Sequence, residues 1–368
     1  MKRLLVTLLS VLAVIVLGGA LFLRYGLGAP LPSPGAVFDV AGGMASKLGC
    51  SARHITGLGP DQIVEDLASY SGAYGWVSIE NDDDLRRVSA HLGPGSTHSA
   101  TFRPGIGCTL DINDTSPLDD IKLATIEPQL LVNNGEANQL LVNQLQADNA
   151  AGLNTRALLA MRDGELIGEA YADGFDETTQ HLGWSMGKSL IAVLFGRMES
   201  LSNLQVSESS LFEAWQDERS AISIEDLLQM SSGLDFQEIY APGSDATRML
   251  FNEYSASDVA LSKPSKHTPG SHFAYSSGTT NILARLLFER AGGTPSAAYR
   301  FLQTSLLAPL GMTQTTVEPD PSGVFVGSSY VYASARDWAR LGQLLVADGV
   351  HNGNRLLSSE RISSALKD

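Results

Sequence analysis

The chain has 368 residues, 43% apolar and 18% charged, enough for a sizeable core and about two domains. Its formal charge of -15 comes without any cluster of Lys and Arg, which excludes a nucleic-acid partner held through its phosphates. An acidic balance of this kind serves solubility.

Lys2 and Arg3 precede an uncharged run from Leu4 to Leu23, closed by Arg24. Those 20 residues have the length of a bilayer-spanning helix. Residues 1–28 are therefore expected to form an uncleaved signal anchor, a membrane partner through an N-terminal helix. Positive charge before the span keeps that end inside. The rest of the chain is then anchored to the inner, cytoplasmic membrane and lies in the periplasm or outside the cell. The alternative is a cleaved signal peptide, with Gly18 to Ala20 as the small-residue cleavage site and a secreted product.

Residues 29–150 read as a linker followed by a small N-terminal region. Ala29 to Gly43 is rich in Pro and Gly, as suits a linker leaving the membrane. Cys50 and Cys108 are the only cysteines, and in an oxidising compartment they are expected to form one disulfide closing a long loop; two buried thiols are the alternative. Neither stands in a His- or Cys-rich cluster, so no metal site is expected. Between them, "YGWVSIENDDDLRRVSAHLG" places two alternating runs around Asn81 to Asp84, the pattern of a β-hairpin. The three aspartates read as a solvated turn.

A composition shift near Gly152 opens the second region, residues 151–368. "ALLAMRDGELIGEAY" reads as strand, Asp163-Gly164 turn, strand. Ser185 to about Glu199 has the continuous apolarity of a buried helix. Ser223 and Asp226 make a capping pattern, and Thr294-Pro295 and Ser334 head further helices. "GTTNILARLLFERAGG" is helical in period and stops at Gly292.

Ser185 and Lys188, in "GWSMGKSLIAVLFG", carry the candidate chemistry. Three residues apart on a helix, they share a face, so the lysine amine stands beside the serine hydroxyl. A serine needs a base to attack a carbonyl, and an amine is a base only when neutral. Burial among Trp184, Met186, Leu190 and Ile191 favours the neutral form, and a helix N-terminus disfavours positive charge while offering free N–H groups to an oxyanion. A second Ser-x-x-Lys, Ser364 to Lys367, lies in a polar terminal helix with nothing to desolvate its lysine. Tyr275, in "HFAYSSG", falls on a loop between elements, where a phenol can relay a proton; a packed core tyrosine is the other reading. His181 lies only four residues before Ser185 and has no obvious acidic orienter, which argues against a Ser-His triad.

"WSMGKS", "LLQMSSGLDF", "PGSHFAYSSGTTN" and "VYASARDWARLGQLL", in this order, resemble the serine β-lactamase and penicillin-binding-protein superfamily. The closest resemblance is to its β-lactamase-related serine hydrolases, which include 6-aminohexanoate-dimer hydrolase and the esterases with a β-lactamase fold. It runs from about Asn154 onward. It implies an α+β, transpeptidase-like fold, with an antiparallel sheet and flanking helices beside an all-helical subdomain. It also implies Ser185 as acylated nucleophile, Lys188 as its base partner, Tyr275 as proton relay, a small-molecule amide or ester as substrate, and no metal or organic cofactor.

Tyr275-Ser276-Ser277 replaces the Tyr-x-Asn of the β-lactamase branch, which weakens a D-alanyl-D-alanine carboxypeptidase or β-lactamase reading and leaves Ser277 to hydrogen-bond substrate. Tyr240 stands where relatives bring an aromatic side chain to the substrate; a turn-packing tyrosine is the alternative. The family's later strands, with a Lys/His-x-Gly motif and a second oxyanion-hole amide, are missing before Asp368. The expectation is an incomplete C-terminal sheet, and a catalytically inactive binding protein of the same fold is the rival reading.

Overall fold

The computed structural model describes Gly18 and residues 35–71, 74, 77–91, 97–202 and 204–366. The expected anchor, apart from Gly18, and Lys367 of the second Ser-x-x-Lys match lie outside the described residues. Among the described residues no helix is long and apolar enough to cross a membrane.

The N-terminal region is an antiparallel meander of β1 (Ser78–Asp82), β2 (Arg87–His91), β3 (Thr97–Arg103) and β4 (Gly107–Leu110), paired in that order. The expected hairpin is β1–β2, with Asn81 opposite Val88. Its aspartates do turn work: Asp82 accepts from the Leu85 N–H at 2.9 Å and Asp83 pairs with Arg53 at 2.8 Å. Alternation places Val88, Ala90 and Ala100 on the inner face, fully buried.

A helix, Gly35–Ser51, covers that face. This corrects the expected linker, which was to run to Gly43. The glycines serve close packing instead of freedom. A Cβ on Gly42 would stand 2.3 Å from the His98 ring, and one on Gly43 would stand 2.1 Å from the Phe251 carbonyl oxygen. Cys50, at the end of the helix, is disulfide-bonded to Cys108 on β4, with Cα atoms 6.0 Å apart.

One buried ion pair ties this helix to the rest of the chain. Lys47 donates to Glu318, which follows strand β8 (Thr315–Val317), and to Ser51 Oγ at 3.2 Å. Glu318 also accepts from Ser51 Oγ at 2.8 Å and from the Cys108 N–H at 2.6 Å. Burial pushes the Lys47 ammonium down and the Glu318 carboxyl up, and their mutual attraction opposes both shifts.

Beyond residue 137, helix Asn138–Ala150 packs on the antiparallel hairpin of β5 (Ala157–Arg162) and β6 (Glu165–Tyr171). Asp163 and Gly164 turn it with φ of 52° and 85°. Strand β7 (His181–Leu182) pairs with β9 (Val331–Ala333), and β9 pairs with β8, again antiparallel. Short helices, among them Ile224–Leu228, Asp245–Phe251 and Ala256–Leu261, gather around Ser277–Arg290 and Pro295–Leu302. The Ser223–Asp226 capping box and the Thr294 cap with Pro295 start two of them. This is the expected α+β arrangement. Helix Met186–Leu201 lies at its centre, its Leu190, Ile191, Leu194 and Phe195 sharing one core with Ile282, Leu286 and Val331.

Replacing Lys47 strands a buried carboxylate, so Lys47→Ala is expected to cost about 3–5 kcal/mol of stability. Lys47→Met keeps the packing of the stem and loses nearly as much. Chemical denaturation at neutral and acid pH checks this. The deficit narrows as pH falls, because protonating Glu318 removes the stranded charge.

Candidate active site

The backbone reaches Ser185 from a strand and reverses into a helix. Leu182 pairs with Tyr332 on β9, and the Gly183 N–H donates to the Val331 carbonyl at 2.8 Å. Trp184 then takes a left-handed conformation, φ 44°, which costs a side-chain-bearing residue on the order of 1–3 kcal/mol. Its indole N–H donates to the Tyr70 hydroxyl at 3.3 Å, and the two rings meet edge to face. Ser185 follows at the N-cap of helix Met186–Leu201, exposed at the surface.

Gly187 lets the first turn of this helix press on the segment before β9. A Cβ there would lie 2.5 Å from the Gly327 carbonyl oxygen. That approach brings the neighbouring Ser328 carbonyl to Lys188.

Lys188 is 9% exposed. Its Nζ donates to Ser185 Oγ at 3.0 Å, Ser277 Oγ at 3.0 Å and the Ser328 carbonyl at 3.1 Å. Burial holds its pKa below the ordinary lysine value, with the Tyr275 hydroxyl and the Glu238 charge pulling the other way. The Tyr275 ring centroid is 4.9 Å from Nζ. Tyr275 is half exposed on an irregular segment, held by the Ala274 N–H donating to the Met230 carbonyl at 2.8 Å. That bond joins two of the sequence motifs.

Ser277 is fully buried at the first position of helix Ser277–Arg290. Glu238 closes this side of the site. It accepts from the Ser277 N–H at 2.7 Å, from Ser277 Oγ at 2.5 Å and from the Tyr240 hydroxyl at 2.7 Å. A carboxylate at a helix N-terminus meets free N–H groups and the positive end of the dipole. Burial pushes the Tyr240 phenol up to about 12, which keeps it a donor at neutral pH.

Ser185, Lys188, Tyr275, Ser277 and Tyr240 thus converge, although they come from three separate segments. His181 sits in β7 with its ring on Phe175. Sequence reasoning missed Glu238 and the Ser328 carbonyl. Glu238 did leave a signal, because it stands two residues before Tyr240 in the same short irregular segment. A backbone carbonyl leaves none. Chemically, the cluster offers an exposed hydroxyl, a desolvated amine in contact with it and a phenol beside the amine.

Residues 139–368 match the family model described as Beta-lactamase. A curated relative, 6-aminohexanoate-dimer hydrolase of Paenarthrobacter ureafaciens, is 26% identical over 230 residues, covering 58% of this chain. The chain spans 57% of that relative's length. A solved structure of a 6-aminohexanoate-dimer hydrolase candidate from Bacillus anthracis shares the fold at 21% identity and a TM-score of 0.50, covering 67% of each chain. D-amino acid amidase from Ochrobactrum anthropi SV3 aligns at 16% identity and a TM-score of 0.47, covering 61% of this chain and 73% of the amidase. The family match takes in more than half of the chain and every member of the Ser185 cluster, and the chain belongs to the beta-lactamase family.

Proposed function

We propose that the chain is a serine hydrolase that cleaves an amide or ester bond through an acyl-enzyme on Ser185, with Lys188 as base and Tyr275 as proton relay. The contact of a desolvated lysine with an exposed serine, at 3.0 Å, carries this reading. Neutral Lys188 accepts the Ser185 Oγ proton while Oγ bonds the carbonyl carbon. The carbon–oxygen or carbon–nitrogen bond to the leaving group then breaks, and the proton passes to the leaving atom from Lys188 or through Tyr275. Water attacks the acyl-enzyme by the same route, releasing the acid and restoring Ser185.

Among the described residues the Ser185 N–H donates to no acceptor, which leaves it free for the oxyanion. Exposed Tyr240, held by Glu238, orients the substrate, whereas Ser277, expected to bind substrate, is fully buried between Lys188 and Glu238 and positions the lysine instead. The uncharged Leu4–Leu23 run and the Cys50–Cys108 disulfide support placing this chemistry at the membrane, outside the cytoplasm.

Ser185→Ala is expected to abolish labelling by a fluorophosphonate, read by intact mass, and to lower p-nitrophenyl ester hydrolysis by roughly 10⁴-fold or more. Lys188→Ala lowers both. An undiminished rate in Ser185→Ala would end the proposal.

Activity needs the neutral amine, so the rate rises with pH through a limb centred below the ordinary lysine value of 10.5. Glu238 opposes the fall in the Lys188 pKa. Glu238→Gln removes that charge and is expected to move the limb to lower pH, measured as kcat/KM against pH.

A further inference from the structure

A cavity of about 640 Å³ opens beside Ser185, and half of its wall belongs to the N-terminal region. Helix Gly35–Ser51 presents Val37, Val40, Ala41 and Met44 to it. Their spacing of three, four and seven residues marks one helix face. Tyr70, Ser71 and Tyr74 continue the wall, and the Tyr74 hydroxyl is engaged by Met44 Sδ, to which it donates at 2.7 Å. Leu250, Phe251 and Trp184 complete the apolar part of the wall. Among its described lining residues there is no Lys, Arg, His, Asp or Glu.

Position decides which half of a substrate enters. The leaving atom must meet the proton donors, Lys188 and Tyr275, and neither lines the cavity. The space therefore takes the group that stays on Ser185. An apolar chain fits the largely apolar wall, whereas a charged end would be stripped of water with no countercharge, only the hydroxyls of residues such as Thr247 and Ser329. All seven N-terminal wall residues precede the span that matches the family, residues 139–368, so the wall is not part of the family's shared chemistry.

We propose that this cavity is the acyl pocket of the enzyme, and that it selects esters and amides of uncharged, linear or aromatic acyl groups of medium length. The inference rests on the serine hydrolase reading above and deepens it.

The test compares p-nitrophenyl acetate, octanoate and 8-aminooctanoate on the full chain. A fully buried methylene is worth roughly fourfold. Octanoate is expected to exceed acetate in kcat/KM by at least about tenfold, and to exceed 8-aminooctanoate by a similar factor, since an ammonium end cannot be buried unpaired. Ala41→Phe fills the pocket and should lower the octanoate-to-acetate ratio by about tenfold; Val37→Phe is the second variant should the first not fold.

A binding measurement independent of turnover accompanies this, with octanamide and acetamide titrated calorimetrically against Ser185→Ala. Tighter octanamide binding that Ala41→Phe weakens supports the pocket even if no ester is turned over, an outcome that would sink only the hydrolase reading. Ester hydrolysis without chain-length preference, together with equal binding of the two amides, would overturn the pocket and leave the hydrolase standing. Preference for the 8-aminooctanoate ester would overturn it as well.

Discussion

A lysine amine removed from water must place its N–H groups on protein acceptors, and the way Lys188 does so fixes the geometry of the site. Its three acceptors are Ser185 Oγ on its own helix, Ser277 Oγ on another helix and the Ser328 carbonyl before β9. As an ammonium it fills all three. As an amine it keeps two donors for Ser277 and Ser328 and turns its lone pair toward the Ser185 hydroxyl. The same cradle thus serves both protonation states without moving a backbone segment. Pre-organisation of this kind lets a proton change hands at no cost in rearrangement.

The chain buries a second lysine, and the contrast is instructive. Lys47 touches a carboxylate, Glu318, whereas every hydrogen-bond acceptor around Lys188 is neutral. The carboxylate nearest in effect, Glu238, is linked to Lys188 by hydrogen bonds only through Ser277, its charge acting across that gap. One buried amine is held by a countercharge and works as a fastening. The other is held by neutral acceptors, which orient it with no countercharge in contact to oppose the effect of burial. The fastening has a functional consequence too, because it seats the helix whose apolar face walls the cavity beside Ser185.

What was legible in the sequence was local. Ser185 and Lys188 could be paired because helical spacing puts them on one face, and the two hairpins and the Ser223 and Thr294 caps follow from turn and capping chemistry a few residues wide. Tyr275 could be put on a loop by its Pro, Gly and Ser neighbours. The misses are non-local. Lys47 and Glu318 lie 271 residues apart, and neither announces burial by its own flanks. The helix at Gly35–Ser51 hides because glycines that permit close packing read the same as glycines that loosen a linker, until His98 and Phe251 stand against them. The Ser328 carbonyl has no side-chain identity to read, since every residue has one.

Burial divides the two polar groups of helix Met186–Leu201 and its N-cap. Ser185 stays exposed while Lys188, one turn deeper, is nearly closed off, so the hydroxyl is open to solvent and the amine is not. Trp184 makes this possible. Its left-handed backbone turns the chain sharply enough to lift Ser185 outward, and the energetic cost of that turn is met by ring contacts with Tyr70 and Tyr330. Tyr70 belongs to the N-terminal region and Tyr330 to the segment entering β9. The strained residue beside Ser185 is therefore held jointly by the part of the chain that carries the Ser185–Lys188 pair and the part that walls the cavity. Changes on the Val37–Met44 face can then alter what the site admits while Lys188 and its three acceptors, all in the other part, keep their positions.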